Sequence, residues 1–72
     1  MTKQEKMEEL VDVLEMDLDE FNENTVLNDL ETWDSVAVLS FIALMDEKFG
    51  KQFHATEITA CKTVSDLLNI MQ

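Results

Sequence analysis

The sequence predicts an all-α protein, a small four-helix bundle with three longer helices and one short one. Two observations indicate this class: apolar residues recur at helical spacing in several segments, and the chain has no Pro and a single Gly. With 72 residues, 46% of them apolar and 29% charged, the chain has a globular composition and suits one domain spanning residues 1–72. Its core must be small, which excludes most self-contained enzymes.

The first helix is predicted over residues 2–16. Thr2 and Glu5 match a capping box, in which a hydroxyl and a carboxylate each accept a hydrogen bond from a free backbone N–H. An apolar stripe then follows the spacing of one helix face: Met7, Leu10, Val11 and Leu14.

A long connection without a clean period occupies residues 17–33. Apolar residues are nevertheless spaced through it: Leu18, Phe21, Val26, Leu27, Leu30 and Trp33. We therefore expect a loop anchored to the core by these side chains, and ordered loops longer than about 12–15 residues are usually functional.

The second helix is predicted over residues 35–49. Asp34 or Ser35 supplies its N-cap, and Gly50 suits a left-handed C-terminal cap. Helical spacing gives it a core stripe of Val38, Phe41, Ile42, Met45 and Phe49. That assignment leaves an outer face that is unusually uncharged for an acidic chain: Ala37, Ser40, Leu44 and Glu47.

Two short helical pieces complete the predicted bundle. Thr56 is expected to cap a turn through Ala60. Thr63 is expected to cap a last helix over residues 64–71, with Asp66 at its third position.

The charge is strongly asymmetric, with sixteen acidic and five basic residues and a net charge of −11. Between Met7 and Glu47 there are thirteen acidic residues and no Lys or Arg. Such a surface repels nucleic acid and anionic membranes and attracts basic protein partners. No apolar run reaches the ~18 residues of a membrane span, and one cysteine, Cys61, suits a reducing compartment. We expect a cytoplasmic monomer in which Cys61 is buried.

Candidate catalytic and metal sites fail on residue type or position. The segment beginning at Asp17 lacks the glycine and ligand residues of a calcium loop, and His54 and Cys61 are too few for zinc. A triad of Ser35, His54 and Asp34 would place the carboxylate beside the serine rather than behind the imidazole. The sequence therefore predicts neither a catalytic residue nor a metal ligand.

Several segments together resemble the acyl carrier protein family over about the whole chain. These are Thr25–Leu30, the run Leu30–Val36 with Asp34-Ser35 inside it, Met45–Gly50 and Thr63–Leu67. The resemblance implies that Ser35 is esterified with 4′-phosphopantetheine, transferred from coenzyme A by a phosphopantetheinyl transferase. The arm's thiol would carry an acyl group as a thioester, while Asp34 would be recognised by the transferase. The other implied partners are a ligase that loads the acyl group and an acyltransferase or synthase that uses it.

The family's fold also suggests two groups of residues beyond the serine. The expected acyl pocket is lined by Leu27, Leu30, Val38, Phe41, Ile42, Met45, Ile58 and Leu67, although the same residues equally suit an ordinary core. The expected partner-binding face consists of Val36, Ala37, Ser40, Leu44 and Glu47.

The sequence departs from carriers of housekeeping fatty-acid synthesis around the serine. It has Trp33 before Asp34, Val36 after Ser35, and Ala37 and Ser40 where acidic residues are usual. These departures favour a specialised free-standing carrier serving a smaller pathway. Two alternatives stay open at this stage: an aminoacyl or peptidyl carrier of the same fold, and a non-carrier acidic helical adaptor in which Ser35 is only a cap.

Overall fold

The computed structural model describes all 72 residues and contains four α-helices. They are α1 (Lys3–Leu14), α2 (Ser35–Leu44), α3 (Ala55–Thr59) and α4 (Val64–Ile70), and there is no β-strand. Helix α2 packs against both α1 and α3, and α4 packs against α1. The predicted all-α bundle with a long loop between its first two helices is confirmed.

None of these helices is both long enough and apolar enough to cross a membrane.

Local side-chain hydrogen bonds define the start of α1 and of α4, as predicted. The Thr2 Oγ1 accepts from the Glu5 N–H (3.2 Å), and the Glu5 carboxylate accepts from the Thr2 N–H (2.9 Å). Thr63 and Asp66 form the same reciprocal pair at α4. Helix α1 is shorter than predicted, because Glu15 adopts a left-handed conformation (φ 55°) and ends it.

The end of α2 differs from the continuous helix predicted over residues 35–49. Regular α-helical bonding stops at Leu44, and Met45–Phe49 form a wider π-helical turn. Gly50 then closes the segment with φ 66°, a conformation that glycine adopts without steric cost. The predicted glycine cap is therefore confirmed.

The predicted start of α3 is wrong. The helix begins at Ala55 after His54, which is extended and makes no capping hydrogen bond. Thr56 already lies inside the helix, so its hydroxyl is not placed to cap it.

The long loop is only partly held by the apolar side chains expected to anchor it. Phe21 and Leu27 are buried and Leu30 and Trp33 half-buried, but Leu18 and Val26 are exposed, so the expectation is wrong for these last two. Leu27 also begins a short 3₁₀ turn, Leu27–Asp29.

Backbone hydrogen bonds provide the remaining anchorage of the loop. Val26 forms an isolated antiparallel bridge with Thr63. Alongside it, the Leu27 N–H donates to the Lys62 carbonyl (2.8 Å) and the Val64 N–H to the Thr25 carbonyl (3.0 Å). The loop that leads to α2 is thus tied to the start of α4.

The core is entirely apolar, with no buried polar or charged residue. It unites side chains from every helix and from the loop: Leu10, Val13, Leu14, Phe21, Leu27, Ala37, Val38, Phe41, Leu44, Met45, Ile58, Val64, Leu67 and Met71. Met7 and Val11 of the predicted α1 stripe only border this core. Val13 joins it although the stripe omits that residue.

Candidate functional site

Ser35 is the first residue of α2 and is exposed to solvent. Its hydroxyl makes no hydrogen bond within the chain, whereas the neighbouring Asp34 has a structural partner. The Asp34 Oδ1 accepts from the Ala37 N–H at 2.9 Å, which makes Asp34 the N-cap. The choice left open between Asp34 and Ser35 is thereby decided, and the serine oxygen is free for reaction.

The backbone around Ser35 favours a negatively charged substituent. The N–H groups of Ser35 and Val36 have no acceptor in the chain, because they precede the first regular helical bonds. They lie at the positive end of the α2 dipole, where a phosphate group is stabilised.

A cleft of about 370 Å³ opens beside the serine between α2 and α3. Trp33, Val38 and Leu39 give it apolar walls, and Asn28 and Thr59 give it an amide and a hydroxyl. Its remaining lining residues are Asp34, Ser35 and Ala55. An extended ligand attached at Ser35 would meet both apolar surface and hydrogen-bonding groups here.

The predicted outer face of α2 is only partly correct. Val36, Ser40 and Glu47 are exposed, but Ala37 and Leu44 are buried, with 4% and 8% of their surface accessible. The prediction fails for these two because α2 is covered on its α1 side as well as its α3 side. Clefts on the α1 side bring Ala37 and Leu44 next to residues of α1.

Leu39 is the apolar residue of α2 that sequence reasoning missed. It is 61% exposed and borders the cleft beside the serine. Its position four residues after Ser35 places both on one helix face, and this spacing is the signal that could have found it.

The eight residues expected to line an acyl pocket do not surround a cavity. Six are buried in the core (Leu27, Val38, Phe41, Met45, Ile58 and Leu67), and Leu30 and Ile42 are half-buried at its edge. Only Val38 and Ile42 border a cleft, each a different one. Their role as a pocket for an acyl chain stays a prediction.

Cys61, the only cysteine, does not border the cleft beside Ser35. Cys61 is half-buried rather than buried, and its Sγ lies 3.8 Å from the Glu57 carbonyl oxygen. Burial, with a smaller contribution from Asp66, raises the pKa of the Cys61 thiol. The thiol is therefore held in its less reactive protonated form.

Comparison with known proteins identifies the family. Residues 7–71, nearly the whole chain, match the family described as "Phosphopantetheine attachment site". No curated protein and no solved structure gives a significant match. The exposed serine at a helix N-terminus and the family match agree, and the chain therefore belongs to the phosphopantetheine attachment site family, whose members carry covalently attached 4′-phosphopantetheine.

Proposed function

We propose that the chain is a carrier protein that holds an acyl group as a thioester on a 4′-phosphopantetheine arm attached to Ser35. The observation that carries the proposal is the state of Ser35 itself: its Oγ is solvent-exposed, free of hydrogen bonds, and placed at the start of α2 within the matched segment.

The residues around Ser35 fit the group. The phosphodiester's charge is favoured by the free N–H groups of Ser35 and Val36. The cleft that Ser35 borders offers Asn28 and Thr59 for hydrogen bonding and Trp33 for apolar contact. When bound, the group supplies a thiol that forms the thioester with the cargo.

The chain supplies presentation, and its partners supply catalysis. We expect a phosphopantetheinyl transferase to modify Ser35, a ligase to load the cargo, and an acyltransferase or synthase to receive it. The thirteen acidic residues between Met7 and Glu47, with no base among them, favour partners with basic surfaces. Asp34 lies next to the modified hydroxyl, where the transferase would meet its charge.

Three exposed features of α2 support a specialised carrier rather than one of housekeeping fatty-acid synthesis. Val36 and Leu39 are exposed apolar residues, and Ser40 is an exposed uncharged one. Partners that recognise carriers by acidic residues along this helix would find fewer charges here, and missing charges lower the affinity for such partners selectively.

Intact-mass spectrometry tests the attachment. Incubating the protein with coenzyme A and a promiscuous phosphopantetheinyl transferase should add one phosphopantetheine. Ser35→Ala should add none, whereas Ser40→Ala, which removes another exposed hydroxyl from the same helix, should be modified like wild type. Modification of Ser35→Ala, or no modification of wild type by several transferases, would refute the proposal.

A further inference from the structure

Two clefts adjoin along α2 on the side that faces α3. The first, described above, is bordered by Ser35, Trp33 and Leu39. The second has a volume of about 500 Å³ and lies further along the helix. It is lined by Leu39, Ile42, Ala43, Asp46, Gln52, Phe53 and His54. Leu39 borders both clefts, so they are neighbours along α2. We call the two clefts together the track, which starts at Ser35.

An arm attached at Ser35 is long enough to reach the second cleft. Ile42 lies seven residues after Ser35, about 10 Å along the helix axis at ~1.5 Å per residue. Phosphopantetheine has about fourteen bonds between the serine oxygen and its sulfur, which span roughly 16 Å at the ~1.1–1.2 Å per bond of an extended chain. An arm lying along the track therefore brings its thiol past Leu39 and into the second cleft.

We infer that the second cleft, bordered by Ile42, Phe53 and His54, is the resting site of the cargo, and that it takes a short acyl group bearing a hydrogen-bonding substituent. This inference rests on the proposed attachment at Ser35. It assigns the cargo to the surface of the protein instead of the core beneath α2.

The chemistry of the lining selects this class of cargo. Ile42, Ala43 and Phe53 offer apolar contact to a short carbon chain, while Asp46, Gln52 and His54 offer polar groups at the rim. A long alkyl chain laid there would cover those polar groups without satisfying them, which is unfavourable. A hydroxyl or amino substituent on a short chain can instead hydrogen-bond with them.

The core offers a poorer site for the same cargo. Phe41, Met45 and Ile58 are fully buried and in contact with other apolar side chains, so an acyl chain must separate them before it can enter. The core also contains no polar residue. A polar substituent would therefore lose its hydrogen bonds to water without replacing them.

The test compares forms of the protein that carry different cargoes. Wild type is loaded by a promiscuous transferase with coenzyme A, 3-hydroxybutyryl-, β-alanyl- or dodecanoyl-coenzyme A, and loading is verified by intact mass. Backbone amide and methyl NMR shifts then locate the cargo. Fluorescence of Trp33, the only tryptophan, reports the arm in the first cleft.

Relative to the unacylated arm, the two short polar cargoes should shift the amides of Gln52, Phe53 and His54 and leave the methyl groups of Met45 and Ile58 unchanged. Comparing the shifts caused by the 3-hydroxybutyryl and β-alanyl cargoes shows whether the cleft prefers a hydroxyl or an amino substituent. Dodecanoyl should not produce the same pattern, since its chain exceeds the cleft.

Two matched variants distinguish the effect of blocking the track from the general effect of adding a negative charge. Leu39→Asp places a carboxylate between the two clefts, and most of the cargo-dependent shift should be lost. Leu18→Asp makes the same kind of change at an exposed loop residue that borders neither cleft of the track, and the shift should persist. Both sites are exposed, so both variants should fold.

The outcomes that overturn the inference are distinct from those that overturn the attachment. A wild-type mass that stays unmodified refutes the proposed function and removes the basis of this inference. Suppose instead that Ser35 is loaded but the short cargoes shift the methyl signals of Met45 and Ile58, or shift neither these signals nor the amides of the second cleft. The attachment then stands and the surface site is refuted.

Discussion

Asp34 has two separable roles, as N-cap of α2 and as a charge beside Ser35, and substitutions can test each. Its Oδ1 accepts one hydrogen bond, from the Ala37 N–H at 2.9 Å. Asp34→Ala removes this bond and should cost about 1 kcal/mol of unfolding free energy. In a domain of this size that loss lowers the melting temperature by about 4–8 °C.

Asp34→Asn separates the two roles. Its side-chain oxygen can still accept from the Ala37 N–H, but the favourable interaction of a carboxylate with the helix dipole, about 0.3–1 kcal/mol, is lost. We therefore expect its melting temperature to lie between those of wild type and Asp34→Ala. If the transferase recognises the charge, both variants should be modified more slowly than wild type, and to a similar extent.

Thermal unfolding followed by circular dichroism and the rate of phosphopantetheine transfer measure these two effects. Asp12→Ala is the matched control, because it removes an exposed carboxylate of α1 that makes no side-chain hydrogen bond within the chain. An Asp34→Ala protein as stable as wild type would refute the capping argument. Modification of Asp34→Asn at the wild-type rate would refute recognition of the charge.

Charge and burial also govern the stability of the caps, the response to salt and the effect of acidic substitutions on α2. Backbone hydrogen bonds from Thr2 and from Lys62 and Thr63 lower the pKa of Glu5 and of Asp66 below their ordinary values of 4.5 and 3.8. These two carboxylates therefore stabilise the fold above their ordinary pKa values, and the stabilisation is lost as the pH falls through their lowered pKa values. Asp66→Asn should flatten the acid side of a plot of melting temperature against pH, and an unchanged plot would contradict this. Added salt should raise the melting temperature by screening the net charge of −11, whereas a flat or falling response would show that repulsion does not strain the fold. Ser40→Glu, at an exposed site, should speed transfer of the acyl group by housekeeping condensing enzymes without lowering the melting temperature. Ala37→Asp should instead destabilise the fold, because it buries a carboxylate. Wild-type stability of the Ala37→Asp protein would contradict the burial argument.

Burial of Ala37 changes what is expected of the outer face of α2. With Ala37 and Ser40 both assigned to the outer face, acidic substitutions at the two positions together would be expected to create a docking surface for housekeeping enzymes. The structure leaves only Ser40 available for such a change, since Ala37 faces the interior. A single helical stripe cannot describe a helix that is covered on two sides.

Features that depend on neighbours in the chain were predictable from the sequence. The capping pairs Thr2 with Glu5 and Thr63 with Asp66 each span three residues. The glycine after α2 and the position of Ser35 at its start are equally local. Short-range spacing determines these features, because the interacting groups are brought together by the helix geometry itself.

Features that join distant segments were decided only by the tertiary structure. The loop's backbone pairing with Lys62, Thr63 and Val64 has no local signal, since any residue other than proline can make such bonds. The track beside α2 likewise depends on where α3 and the segment before it come to lie. The sequence by itself determined the order of the helices, the capping pairs of α1 and α4, the glycine cap and the candidate serine. Packing of α2 between two helices decided which of its apolar residues are buried and which remain beside the serine, because burial depends on neighbours that are remote in sequence.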